Sequence, residues 1–277
     1  MGVYELDKST VIGLVLGIVA LGVGMVLKGV GLAALLNPAA ILIIIVGTIA
    51  TIVIGFPMDE LKRIPKLFGV IFKEQKLVPD HEVIKLFSNW ADLARREGLL
   101  ALESKTTDVE DPFLKNGLTL AIDGQNANYI RDVLTEEINA LEERHSTGAQ
   151  IFTQAGTYAP TLGVLGAVVG LVAALGDMND IEKLGHAISA AFIATLLGIF
   201  TGYVLWHPFA NKLKRKSKQE VRQKTMMLEG ILSVLEGDAP RVIEQKLASY
   251  LSMSERKKVL NESGEAGLGK EAQKTSA

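Results

Sequence analysis

Side chains of types that do chemistry are present in this sequence, but their placement narrows what is open to them. Cysteine is absent, which removes thiolate nucleophiles, cysteine metal sites and disulfides. The four histidines, His81, His145, His186 and His207, are far apart in sequence and show no metal-ligand spacing. His207 reads as an interfacial residue rather than a proton relay. GEAGLGKE, Gly264 to Glu271, approximates a phosphate-binding loop, but Glu271 stands where a magnesium-binding Ser or Thr belongs and no strand precedes it. The paired acids of EEINALEER, Glu136 to Arg144, read as a solvated helix face. No catalytic residue, metal site or cofactor site emerges, so the chain is not read as an enzyme. Without a broad basic surface or a recognition motif, nucleic-acid binding has no support.

The unusual residues lie instead in apolar runs. TYAPTLGVLGAVVGLVAAL, Thr157 to Leu175, holds Pro160 among small residues. A proline has no N–H, so the carbonyl of Gly156 loses its helical donor and the helix gains a kink site. Pro208 ends the fourth apolar run on the same side. Gly163, Gly166 and Gly170, with Ala167, form a small surface, and Gly198 and Gly202 make a GxxxG pair, as do Gly13 and Gly17 on the first run. Such surfaces let helices approach closely, and packing within the chain or onto a partner fits them equally well. Ala167 and Thr195 both fall near the bilayer midplane. A threonine there usually bonds its own i−4 carbonyl, so Thr195 alone says little.

Four stretches position these residues. Thr10 to Leu27, Pro38 to Phe56, Ala155 to Leu175 and Ile188 to Trp206 contain no Asp, Glu, Lys or Arg, and each has about the 20 residues a helix needs to cross hydrocarbon. An all-α polytopic membrane protein follows, with four transmembrane helices. The first run reads as a retained span rather than a signal peptide, because its amino-terminal flank carries acids and a second span follows almost at once. Lys62, Arg63, Lys66, Lys73 and Lys76 follow the second span, and Lys212, Lys214, Arg215, Lys216 and Lys218 follow the fourth. The positive-inside bias puts both flanks and both termini in the cytoplasm, and NKLKRKSK is read as a topology anchor.

The expected organisation is a first hairpin over 1–56, a helical cytoplasmic domain over 57–148, a second hairpin over 149–208, cytoplasmic helices over 209–260 and a disordered tail over 261–277. Within the loop, HEVIKLFSNWADLARREGLLALES repeats its apolar residues at helical spacing, and DPFLKNGLTLAIDG and NANYIRDVLTEEINALEERH give further helices. QEVRQKTMMLEGILSVLEGDAPRVIEQKLASYL gives two more, broken at GDAP. A protein that moves protons or cations needs a titratable or charged group within the bilayer, and none of the four spans has one. Either it moves no ions or a partner brings the acid.

TYAPTLGVLGAVVGL, HAISAAFIATLLGIFTGYVLWHPFANKLKRKS and LARREGLLALES resemble the MotA family of flagellar motor stator subunits, within the wider MotA/TolQ/ExbB group. The likeness runs to about Leu260 and is nearest to the family members of Gram-positive bacilli. It implies a homopentameric ring in the bacterial cytoplasmic membrane around the helices of a MotB-like partner, which carries the ion-accepting Asp and a peptidoglycan anchor, and torque on the rotor protein FliG. By the same resemblance Pro160 and Pro208 are the coupling prolines, Arg95, Arg96 and Glu103 face the rotor, and Ala167, Thr195, Gly163, Gly166 and Gly170 line the ion path or the partner helix. Sodium-type relatives usually have Thr at the position of Ala167, so protons are expected here. The alternatives are a sodium-driven stator, an ExbB/TolQ-like energising subunit for envelope transport and a passive membrane scaffold.

Overall fold

The computed structural model describes residues 6–176 and 181–259. The tail over 261–277, with its Gly264 to Glu271 run, and residues 177–180 of the second outer turn lie outside the described residues. Among the described residues every regular element is helical, and the one β contact is an isolated antiparallel bridge between Leu6 and Lys73. The longer helices are α1 (Lys8–Leu27), α2 (Pro38–Gly55), α3 (Ile64–Phe72), α4 (Asp80–Glu97), α5 (Pro112–Ile122), α6 (Ala127–Leu175), α7 (Ile181–Leu235) and α8 (Pro240–Ala248). α1, α2, α6 and α7 are long and apolar enough to cross a membrane, as the charge-free runs require. Their outward faces are apolar: Leu16, Ile54 and Val172 are 61%, 86% and 65% exposed, a pattern that suits lipid or neighbouring helices rather than water.

The chain divides into two compact units, one of 6–75 with 144–217 and one of 76–143 with 218–259. In the first unit, α1 is capped by Asp7, whose side chain accepts from the Thr10 N–H, and α2 starts behind the Asn37 cap with Pro38 in its first turn. α2 contains a π turn over Leu42–Val46, and the Thr48 hydroxyl donates to the Ile44 carbonyl at 2.6 Å within it. α3 was missed in sequence. Its Ile71 packs with Ala149, Phe152, Phe209 and Leu213, and its Phe68 ring stands edge-on to Phe152 at 5.2 Å.

The two helices bearing the second hairpin do not stop where their apolar runs stop. α6 is one helix of 49 residues with Pro160 inside it. α7 continues through Pro208, past the end of the fourth apolar run. A π turn over Thr201–Trp206 precedes that proline, and the His207 N–H reaches back to the Gly202 carbonyl. One extra residue in the turn makes room for the ring, and the helix resumes its α geometry at His207.

The second unit closes a core of Phe87, Trp90, Leu102, Phe113, Leu118, Ile130, Leu134, Met226, Ile231, Leu232, Ile243 and Leu247. α4 ends at Gly98, where φ is +85°, a left-handed value that suits glycine. The chain then makes a 3₁₀ turn over Leu99–Leu102 rather than running as helix to Ser104. The GDAP break holds, with Gly237 at φ +75° and Pro240 opening α8. Asp111 caps α5 and takes the Lys224 ammonium at 2.5 Å.

Glu229 joins two other elements of this unit, accepting from Arg131 at 2.7 Å and pairing with Lys246 at 2.9 Å. Burial alone would raise its carboxyl, but the hydrogen bonds from Lys246 and Arg131 outweigh it and hold the group below its ordinary range. A depressed carboxylate contributes stability above its unfolded value and loses it as pH falls. Thermal melting should therefore weaken below the ordinary value of 4.5, and Glu229→Gln should flatten part of that acid limb. The same variant should lower stability at neutral pH by roughly 0.5–1 kcal/mol, since both cationic partners are partly exposed. Melts of the two proteins across the acid range check both effects.

Candidate functional site

In the membrane unit the site is a seam between the apolar halves of α6 and α7. A Cβ built on Gly198 would lie 2.7 Å from the Ala159 carbonyl oxygen and 2.8 Å from the Gly163 Cα, and one on Gly163 would lie 2.8 Å from the Ala194 carbonyl oxygen. The two backbones are in contact here, an approach that only glycine on both sides permits. One turn further along, a Cβ on Gly202 would meet the Gly156 carbonyl oxygen and the Pro160 ring, each at 2.8 Å. That carbonyl is the one Pro160 deprives of its helical donor. The weak point in α6 is thus covered by the bare backbone of α7 rather than by a side chain.

The seam continues to His207, whose ring lies against Gly156, within 2.8 Å of where a Cβ would stand, and sits tilted against the Tyr203 ring with centroids 5.3 Å apart. Pro160 and Pro208 therefore flank one short stretch of antiparallel contact. Pro160 faces Gly202, and Pro208 follows the His207 that faces Gly156. α2 and α1 close on the same pair of helices. Leu162 fills the space over Gly47, Ile43 lies 3.7 Å from where a Gly166 Cβ would stand, and Gly17 faces Val204.

The small surface predicted on α6 divides into two. The space over Gly163 is filled by the chain's own α7, and a Cβ on Gly166 would meet Ala194 and Ile43 of its own chain at 3.6 and 3.7 Å. Gly170 has nothing within 4 Å of its Cβ position, so its face is open. Ala167 and Thr195 are half-buried. The Thr195 hydroxyl donates to the Ala191 carbonyl at 3.2 Å, the local bond expected of a threonine inside a helix. Its oxygen keeps an accepting lone pair, and Ala167 adds no oxygen beside it.

In the other unit Arg95, Arg96 and Glu103 are all exposed, on either side of the Gly98 stop. They differ in one respect. Arg96 is held by Asp92 at 2.5 Å within α4, whereas among the described residues Arg95 and Glu103 make no ion pair. Leu102 between them is fully buried and fixes the turn, and Leu100 is 70% exposed.

These features define a multi-pass α-helical membrane subunit with a backbone-packed helix pair and no charged group of its own in the spans. Residues 105–226 match the MotA/TolQ/ExbB proton channel family, and residues 11–98 match the Motility protein A N-terminal family. Motility protein A of Bacillus subtilis is 66% identical over 264 residues, 95% of this chain and 97% of the relative. Chemotaxis protein PomA of Vibrio alginolyticus is 32% identical, covering 91% of this chain and 98% of that one. The structure superposes on a chain of the flagellar MotAB stator complex from Bacillus subtilis with a TM-score of 0.87 at 67% identity, covering 91% of this chain and 99% of that one. It superposes on C. jejuni MotAB with a TM-score of 0.85 at 33% identity, covering 89% and 96%. The chain belongs to the MotA/TolQ/ExbB proton channel family. It is a close homologue of Motility protein A, a multi-pass protein of the bacterial inner membrane.

Gly198→Ala should be poorly tolerated, because its Cβ meets backbone atoms that cannot rotate away, and overpacking of this kind costs about 1–3 kcal/mol. Gly170→Ala, with open space, should leave the isolated chain unchanged. Melting of the two variants in detergent distinguishes them, and equal stability would contradict the packed seam.

Proposed function

We propose that this chain is the stator subunit that, with a MotB-like partner, forms a proton channel and converts ion flow into torque on the rotor protein FliG, driving flagellar rotation. Membership of the family and the superposition on two MotAB structures support the partner and the motor role. The observation in this chain that carries the mechanism is the Gly156 carbonyl, deprived of its helical donor by Pro160 and faced by the bare backbone of Gly202. Such a site bends at little cost, because no hydrogen bond must break first.

In this reading the partner's Asp supplies the titratable group absent from the spans. Its change of charge shifts the α6 and α7 pair at Pro160 and Pro208, and a homopentamer of such pairs turns stepwise around the partner. Each proton crossing 100 mV releases about 2.3 kcal/mol, enough to bias a helix bend but not to remodel a fold. Gly170, with its open face, and Ala167 and Thr195 line the partner or the ion path. Lacking a second hydroxyl at Ala167, the path suits protons better than a hard metal cation. Arg95 and Glu103, exposed and without an ion pair among the described residues, are the charges offered to the rotor, with Arg96 in a supporting place. Both termini lie in the cytoplasm.

Cells lacking their own stators, given this chain and a MotB-like partner, should rotate when tethered in sodium-free medium. Rotation only after sodium is added would overturn the proton assignment. Pro160→Leu restores the N–H and should leave the complex assembled but stationary, so normal rotation in that variant would remove Pro160 from the mechanism. Arg95→Glu should reduce torque several-fold, with partial recovery on a compensating charge change in the rotor; unchanged torque at low ionic strength would exclude the electrostatic contact.

A further inference from the structure

The flank of basic residues after the fourth span reads in sequence as a topology anchor, yet two of its lysines point inward onto one carboxylate. Asp7, at the cap of α1, accepts from Lys212 Nζ at 2.8 Å and from Ser9 Oγ at 2.7 Å, and its Oδ2 lies 3.2 Å from Lys216 Nζ. Lys212 Nζ also donates to Ser9 Oγ at 2.7 Å. Lys216 is 7% exposed and donates to the carbonyls of Val70 at 2.8 Å, in the last turn of α3, and of Lys73 at 2.6 Å, its C-cap. The backbone joins in: the Asp7 N–H donates to the Phe72 carbonyl at 2.8 Å, and the Thr10 hydroxyl donates to the Ile71 carbonyl at 3.2 Å. Three chain segments, far apart in sequence, meet here: α7 reaches the Asp7 carboxylate through Lys212 and Lys216, and the α3 carbonyls take the Asp7 N–H, the Thr10 hydroxyl and the Lys216 ammonium.

The arrangement is electrostatically consistent at each end. Asp7 sits at the positive start of α1, and Lys216 at the negative end of α3, so each helix dipole favours the charge beside it. A buried ammonium needs a counter-charge, and removing that partner is far more costly than breaking an exposed pair. Burial would raise the Asp7 carboxyl, but hydrogen bonds from Lys212, Ser9 and Lys216 and from the Thr10 backbone overcome this and hold it well below the usual carboxylate range. The group is therefore ionised at any physiological pH. Lys212 and Lys216 are one helical turn apart and follow Pro208 by four and eight residues. The stretch of α7 immediately beyond its proline is thus gripped by the foot of α1 and the end of α3.

We propose that Asp7 is a positioning residue for torque generation, clamping the segment of α7 after Pro208 so that a displacement at the proline passes along the helix instead of being lost as local swinging. This rests on the stator reading above. A helix free to swing on the cytoplasmic side of its weak point would let protons pass without delivering their work. The clamp therefore governs the ratio of torque to proton flux rather than the flux itself.

The test compares wild type, Asp7→Asn and Asp7→Glu, each co-expressed with the MotB-like partner, for complex abundance, proton flux and torque per motor. Asp7→Asn should retain assembly and proton flux while torque falls several-fold, and Asp7→Glu should recover part of it. Amide exchange of the purified chain reports the clamp independently of the motor, with loss of protection at Asp7 and Thr10 expected in Asp7→Asn. Should Asp7→Asn assemble poorly, the pair Asp7→Asn with Lys216→Gln removes the unpaired buried charge and should restore abundance without restoring torque. Wild-type torque in Asp7→Asn, or torque and flux falling in equal proportion, would overturn the proposal. Wild-type protein that gives neither flux nor rotation would instead overturn the stator reading.

Discussion

No charged side chain lies within the four spans, and the rest of the structure answers to that constraint. Helices without charges or strong polar groups gain nothing from a hydrophobic drive between them in lipid, so close packing must hold them together. The glycines of α6 and α7 supply it, bringing Gly163 and Gly198 into backbone contact. The same constraint removes any titratable group from the hydrocarbon, so a proton crossing here needs an acid from elsewhere. A homologue of Motility protein A that superposes on MotAB complexes fits that need.

Packing by backbone rather than by side chain has a mechanical consequence. Interlocked side chains resist bending, because each must leave its rotamer well for the helix to move. At Pro160 the neighbour is Gly202, which offers no side chain, and the carbonyl between them has already lost its bond. In α7 the π turn before Pro208 absorbs the second proline without breaking the helix. The pair is thus firmly seated at Gly163 and Gly198 and deformable one turn away. Beyond that point Lys212 and Lys216 tie α7 to Asp7 at the foot of α1.

Much of this was legible in the sequence, for physical reasons. Charge-free runs of bilayer length admit few other structures, and the apolar spacing of Val83, Ile84, Phe87 and Trp90 put α4 on the core face it occupies. Where reading failed, the information was not local. Nothing in residues 149–154 says that the loop helix and the third span are one helix, because a helix crossing from water to lipid changes composition without changing backbone. The π turns leave no periodic signal. Asp7 and Lys212 are 205 positions apart, and no spacing rule links them. The small face of α6 was visible, but a glycine cannot declare whether it meets its own chain, as Gly163 does, or stands open, as Gly170 does. Gly98 is the exception: its stop is a local signal, hidden by the helical period of the apolar residues on either side.

The measurement closest to the central claim is proton flux into vesicles holding this chain alone, this chain with a MotB-like partner, and this chain with a partner whose ion-accepting Asp is replaced by Asn. The account predicts tight vesicles with the chain alone, flux with the intact partner and none with the Asn partner. Flux through the chain alone, or flux indifferent to the partner's acid, would contradict it.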